Sequence, residues 1–116
     1  MNSSLPLPGR PVRGSATGRP VMALFDLLGR RGALRILWEL RDGQPQGFRL
    51  LREMAGDISP TLLNNRLREL REAGVVELAD AGYQLSERGH DLLHRLHPLH
   101  RWAETWAVET GAADAS

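Results

Sequence analysis

The side chains of this chain best suited to chemistry lie in one stretch, Ser59-Pro60-Thr61-Leu62-Leu63-Asn64-Asn65-Arg66-Leu67-Arg68. Leu63, Leu67 and Leu70 recur at i, i+4 and i+7, the spacing of a buried helical stripe. With Leu63 at the centre of that stripe and about 100° per residue, Thr61, Asn65, Arg68 and Glu72 fall opposite it. Asn64 falls on the flank. Asparagine can pair with adenine through two hydrogen bonds, arginine with guanine, and threonine can touch a thymine methyl. Between Ser59 and Arg68 there are two arginines and no acid. Thr61, Asn64, Asn65 and Arg68 are therefore the expected base-reading residues. Any one of them alone reads equally well as solvated helix surface; the set, with its basic flanks, favours a nucleic acid.

Elements on both sides must position that helix. Phe48, Leu51 and Met54 or Ala55 outline a short amphipathic helix over 48–55, and Gly56-Asp57-Ile58 makes a tight turn. Ser59 can cap the first free amides, and Pro60 is preset for the first helical position. Together they form a helix-turn-helix whose second helix, 59–73, enters a major groove. Arg49, Arg52 and Ser59 are expected at phosphates, where they fix register without reading sequence. Arg66 lies nearer the buried edge, and both a phosphate contact and a brace within the helix pair remain open. Strands at 75–78 and 83–85 flank Asp80-Ala81-Gly82 and form a hairpin, the wing.

A second set of residues could do other chemistry. His90, His94 and His97 align at i, i+4 and i+7, and His90-Asp91-Leu92-Leu93-His94 resembles a zinc-protease pattern with aspartate in place of glutamate. Aspartate is one methylene shorter, and so small a chain leaves little room for a substrate cleft. A regulatory metal site is the minor reading and a solvated helix face the major one. Ser86 and His90 lie one turn apart with no oxyanion device in view. There is no Gly-x-Gly, hence no glycine-rich phosphate loop. No enzyme, metal or cofactor is expected.

The remaining helices are read at 21–28, 33–40 and 86–109. The second is so apolar that it should be central. The last carries Leu92, Leu96, Leu99, Ala103 and Trp106 on one face, suited to packing on a second copy, with packing on its own domain alone as the lesser reading; Pro98 should kink or divide it. Two-fold pairing would set two reading helices roughly 34 Å apart. Trp38, Trp102 and Trp106 could line a pocket for an effector at such an interface, but a place in the core is the preferred reading.

With 116 residues, one domain fits and two cores do not. It is expected over 21–110, between a disordered basic tail at 1–20 and a disordered tail at 111–116. The first tail holds four prolines, three glycines, three arginines and no acid; an inert extension is preferred to an arm that touches DNA. Cysteine is absent, which removes disulfides, thiolate metal sites and cysteine nucleophiles. Neither a membrane span nor a signal peptide is apparent, and a cytoplasmic place is expected. Up to Val76 there are 12 arginines against 7 acids; from Glu77 onward there are 3 against 7. The basic front half suits an anionic partner.

These motifs resemble the HxlR-type winged helix-turn-helix regulators, relatives of the MarR group. The resemblance spans about 21–106. It is carried by Leu28-Gly29, the run Leu34 to Leu40, Phe48 with Leu51, Gly56-Asp57-Ile58-Ser59-Pro60, Leu63 to Leu70, Gly74-Val75-Val76, and Tyr83-Gln84-Leu85-Ser86 with Gly89. It implies a mainly α fold with a small β-hairpin (α+β) that dimerises through its terminal helices. It also implies a bacterial, homodimeric transcription regulator on double-stranded DNA, acting at a near-palindromic operator. Three departures stand out: Gly32 replaces a usual tryptophan, Gly47 a usual arginine, and the wing is short and slightly acidic. Relatives that sense oxidants through cysteine offer no precedent for a chain without it. A winged-helix module that binds only proteins is the alternative.

Overall fold

The computed structural model describes residues 7–8 and 18–111. The tails expected at 1–20 and 111–116 lie almost wholly outside the described residues. Seven elements follow in order: α1 (Pro20–Leu28), α2 (Ala33–Glu39), α3 (Phe48–Met54), α4 (Pro60–Glu72), β1 (Val76–Ala79), β2 (Gly82–Leu85) and α5 (Glu87–Glu109).

The core is built from the apolar stripes of the three middle helices. Ile36, Leu37 and Leu40, Leu51 of α3, and Leu63, Leu67 and Leu70 of α4 are all fully buried. Each such side chain contributes about 1.5–3 kcal/mol of burial. The second helix is central, as its composition predicts, but only on one side: Leu34 is 47% and Trp38 39% exposed. Val75, Val76 and Leu85 seat the hairpin on the same core.

β1 and β2 pair antiparallel, from Val76 opposite Leu85 to Ala79 opposite Gly82, so the loop is only Asp80-Ala81. Gln46 and Tyr83 exchange two backbone hydrogen bonds of 2.8 Å, which ties the loop before α3 to the hairpin.

α5 starts at a capped turn, where Ser86 Oγ accepts from Gly89 N at 3.0 Å and donates to the Gly74 carbonyl at 2.6 Å. A Cβ on Gly89 would collide with the Val75 carbonyl oxygen, so only glycine lets the helix cross here. Pro98 does not divide α5, which runs unbroken to Glu109. The proline leaves the His94 carbonyl without its helical donor, but that stretch is exposed and water can serve it.

The tryptophans are not core, contrary to expectation. Trp102 is 60% and Trp106 55% exposed, and the two rings stack at 5.6 Å. Trp38 packs against His100 at 5.4 Å under the Arg41 guanidinium. Leu92 and Leu93 reach the core; further along α5 His100 still meets Trp38 of α2, while Leu99 is 60% exposed.

Candidate nucleic-acid interface

The turn between α3 and α4 is set by two successive left-handed residues, Gly56 at φ 87° and Asp57 at φ 56°. Glycine adopts that conformation without penalty, and aspartate is among the residues that tolerate it. The Asp57 amide donates to the Arg52 carbonyl at 2.9 Å, closing α3. Arg52 Nε then donates to the Ile58 carbonyl at 2.7 Å across the turn. Ser59 Oγ accepts from the Leu62 amide at 3.1 Å and opens α4.

On α4 the expected reading residues divide. Thr61, Asn64 and Arg68 are exposed, as is Glu72 further along. Asn65 is half-buried, and its Oδ1 lies a long 3.5 Å from Arg68 Nη2. The idealised rotation therefore places Thr61 and Arg68 well and Asn65 less outward than drawn.

The flanking arginines divide as well. Arg49 is fully extended into solvent, its side chain 94% exposed and only 3.8 Å from Glu53. Arg52 and Ser59 spend a hydrogen bond each on the turn itself. Arg66 turns inward: Nε donates to the Arg31 carbonyl at 2.8 Å and Nη1 to Glu69 Oε1 at 2.9 Å. Of its two readings, the brace is the one the geometry displays.

Glu69 is the residue that the periodicity overlooks. It is 8% exposed and takes both Arg66 and Arg30, the latter at 3.0 Å; Arg30 also reaches the buried Asp26 at 3.5 Å. This chain of charges locks α4 to α1 and to the turn before α2. Arg66 and Glu69 stand at i, i+3, a spacing that signals such a pair.

The hairpin beside α4 is not basic. Glu77 and Asp80 are exposed, Leu78 is 50% exposed, and Gln84 Nε2 donates to Glu77 at 2.7 Å. His90, His94 and His97 are exposed on α5, and among the described residues no three His, Asp or Glu side chains could hold a metal together. Among them, too, no helix is long and apolar enough to cross a membrane.

The sequence pattern of the HxlR-like helix-turn-helix family matches residues 27–110. The chain belongs to that family. An uncharacterized HTH-type transcriptional regulator of Methanocaldococcus jannaschii is 26% identical over 89 residues, covering 73% of this chain and 83% of the relative. Quinone-bound YodB of B. subtilis superposes with a TM-score of 0.67 at 33% identity, covering 73% of this chain and 96% of YodB. A possible HxlR family transcriptional factor of Thermoplasma volcanium superposes with a TM-score of 0.64 at 29% identity, over 72% of this chain and 80% of that one. This HxlR-like chain is a DNA-binding transcriptional regulator with a winged helix-turn-helix, α3 and α4 forming the motif and β1–β2 the wing.

Proposed function

We propose that this regulator binds a near-palindromic operator as a homodimer, with α4 of each copy in a major groove. The outward face of α4 carries the reading: Thr61, Asn64 and Arg68 stand exposed on a segment without acids. Thr61, Asn64, Asn65 and Arg68 meet base edges, while Arg49, Arg52 and Ser59 meet phosphates. Arg66 keeps its brace and offers a phosphate at most its remaining donors. Dimerisation uses the α5 face of Leu92, Leu96, Leu99, Ala103 and Trp106. Leu99 and Trp106 lend it the exposed apolar surface that a second copy would cover.

The wing supports a division of labour. Exposed Glu77 and Asp80 would repel phosphates, so the hairpin stays outside the minor groove and most contacts fall to α3 and α4. Leu78 between those acids favours a second reading, in which the wing meets a protein. Such a regulator works where the chromosome is, in the cytoplasm. A relative was solved with quinone, but no thiol adduct can form on a chain without cysteine.

A gel shift on the chain's own upstream region, at two salt concentrations, tests this. The expected result is a complex that forms on that region in preference to random DNA and weakens with salt. No complex at low salt would leave the protein-binding module as the better account.

A further inference from the structure

The reading helix has two flanks, and a major groove has two walls. Counting about 100° per residue from Leu63, Arg66 leaves α4 about 60° to one side of the buried stripe and Arg71 about 80° to the other. A helix with its side chains is about 10–12 Å across and the groove about 12 Å wide, so each flank faces one phosphate strand.

The Arg66 flank is joined by an arginine from outside the helix-turn-helix. Arg66 Nε holds the Arg31 carbonyl at 2.8 Å, which pins the backbone of Arg31 to the middle of α4. Gly32, left-handed at φ 87°, then turns the chain into α2. A Cβ on Gly32 would stand 3.9 Å from Ile58 Cδ1, so this corner also lies against the turn that opens α4. The Arg31 side chain is exposed, and no acid pairs with it among the described residues. Its neighbour Arg30 points inward, to Glu69 at 3.0 Å and Asp26 at 3.5 Å.

The other flank is electrostatically divided. There Arg68 and Arg71 share an open cleft beside the wing with Glu72 and Glu77, and Leu78 lies at its edge. The two carboxylates weaken that cleft as a seat for phosphate.

We propose that Arg31 is a phosphate anchor for the DNA strand on the side of α4 away from the wing. Arg66 acts there as its positioning residue, through the Arg31 carbonyl. The proposal rests on the DNA reading above and adds to it a contact from the turn before α2. A phosphate contact of this kind fixes the register of α4 without reading sequence.

Fluorescence anisotropy of the full chain tests it, on a duplex of the chain's own upstream region and on a random duplex of equal length, over a salt series. Arg31→Ala should weaken both complexes by the same factor and lower the salt slope by about 1. That factor should be about eightfold near 0.1 M salt, the counterion-release value of one contact relative to 1 M. Arg31→Lys should keep most of the affinity, because a point charge also serves a phosphate. Thermal melts of both variants should match the parent chain, since the exposed side chain holds nothing in the fold. Arg71→Ala should cost less than Arg31→Ala. Full affinity of Arg31→Ala, a loss confined to the upstream duplex, an unchanged salt slope, or a larger loss from Arg71→Ala would overturn the anchor alone. No complex of the unaltered chain with either duplex at low salt would overturn the DNA reading and the anchor with it.

Discussion

Arg52 Nε reaches across the helix-turn-helix to the Ile58 carbonyl at 2.7 Å, whereas Arg49, one turn earlier on the same helix, meets only the exposed Glu53 carboxylate at 3.8 Å. Two arginines with the same expected partner thus have different duties. Arg52→Ala should destabilise the fold by about 1.5–3 kcal/mol, the worth of a hydrogen bond from a charged donor, and lower affinity for all DNA. Arg49→Ala should change stability by no more than about 0.5 kcal/mol and lower the salt slope of binding by about 1. Thermal unfolding with fluorescence anisotropy at several salt concentrations separates them; equal loss of stability in both would refute the distinction.

Base reading should show in specificity. Asn64→Ala and Arg68→Ala are each expected to cost about 1–3 kcal/mol on the operator and little on random DNA. Asn65 is half-buried beside Arg68, so part of its effect passes through that arginine. The double variant Asn65→Ala with Arg68→Ala should lose less than the sum of the single losses. Strict additivity in anisotropy titrations would give Asn65 an independent contact.

The order of elements was legible because each one carries its own punctuation. Ser59-Pro60 and Ser86 are caps, Gly56-Asp57 is a left-handed turn, and the leucine stripe of α4 is wholly buried. What a helical wheel leaves out is long-range. It puts Arg66 near the buried edge and leaves a brace and a phosphate contact both open, while the Arg31 carbonyl, from a distant part of the chain, and Glu69 draw it inward. It treats tryptophan as core, while the geometry of α5 carries Trp102 and Trp106 beyond the domain that could have covered them. Composition ranks burial by residue type; only the fold decides how far a helix overhangs.

Glu69 is expected to matter to stability rather than to DNA chemistry. Glu69→Ala takes from Arg30 and Arg66, both only 17% exposed, the carboxylate they share, leaving Arg30 on Asp26 and Arg66 on the Arg31 carbonyl, and should cost about 3 kcal/mol. Denaturant unfolding measures it. A loss under about 1 kcal/mol would mean that Asp26 or water takes over both guanidiniums.

Gly89→Ala tests the crossing of α5 over the hairpin root. The new methyl would meet the Val75 carbonyl, which is backbone and cannot swing aside. Overpacking of this kind costs about 1–3 kcal/mol, although alanine is the better helix former. A stabilised variant in thermal melts would show that α5 can shift outward at no expense.

The overhang of α5 makes the sharpest test of assembly. Trp106 is 55% and Leu99 60% exposed in the single chain, so replacing either with an acid removes little from its own fold. Trp106→Glu should therefore leave the melting of the isolated domain nearly intact while placing a charge on the face offered to a second copy. Light scattering should report a dimer for the parent chain and a monomer for the variant. Operator affinity should fall steeply, because two linked half-site contacts become two separate ones. Affinity for a half-site should stay within about twofold, since α4 is untouched. A parent chain that already runs as a monomer, or a variant that remains dimeric with full operator affinity, would move the partner surface away from α5.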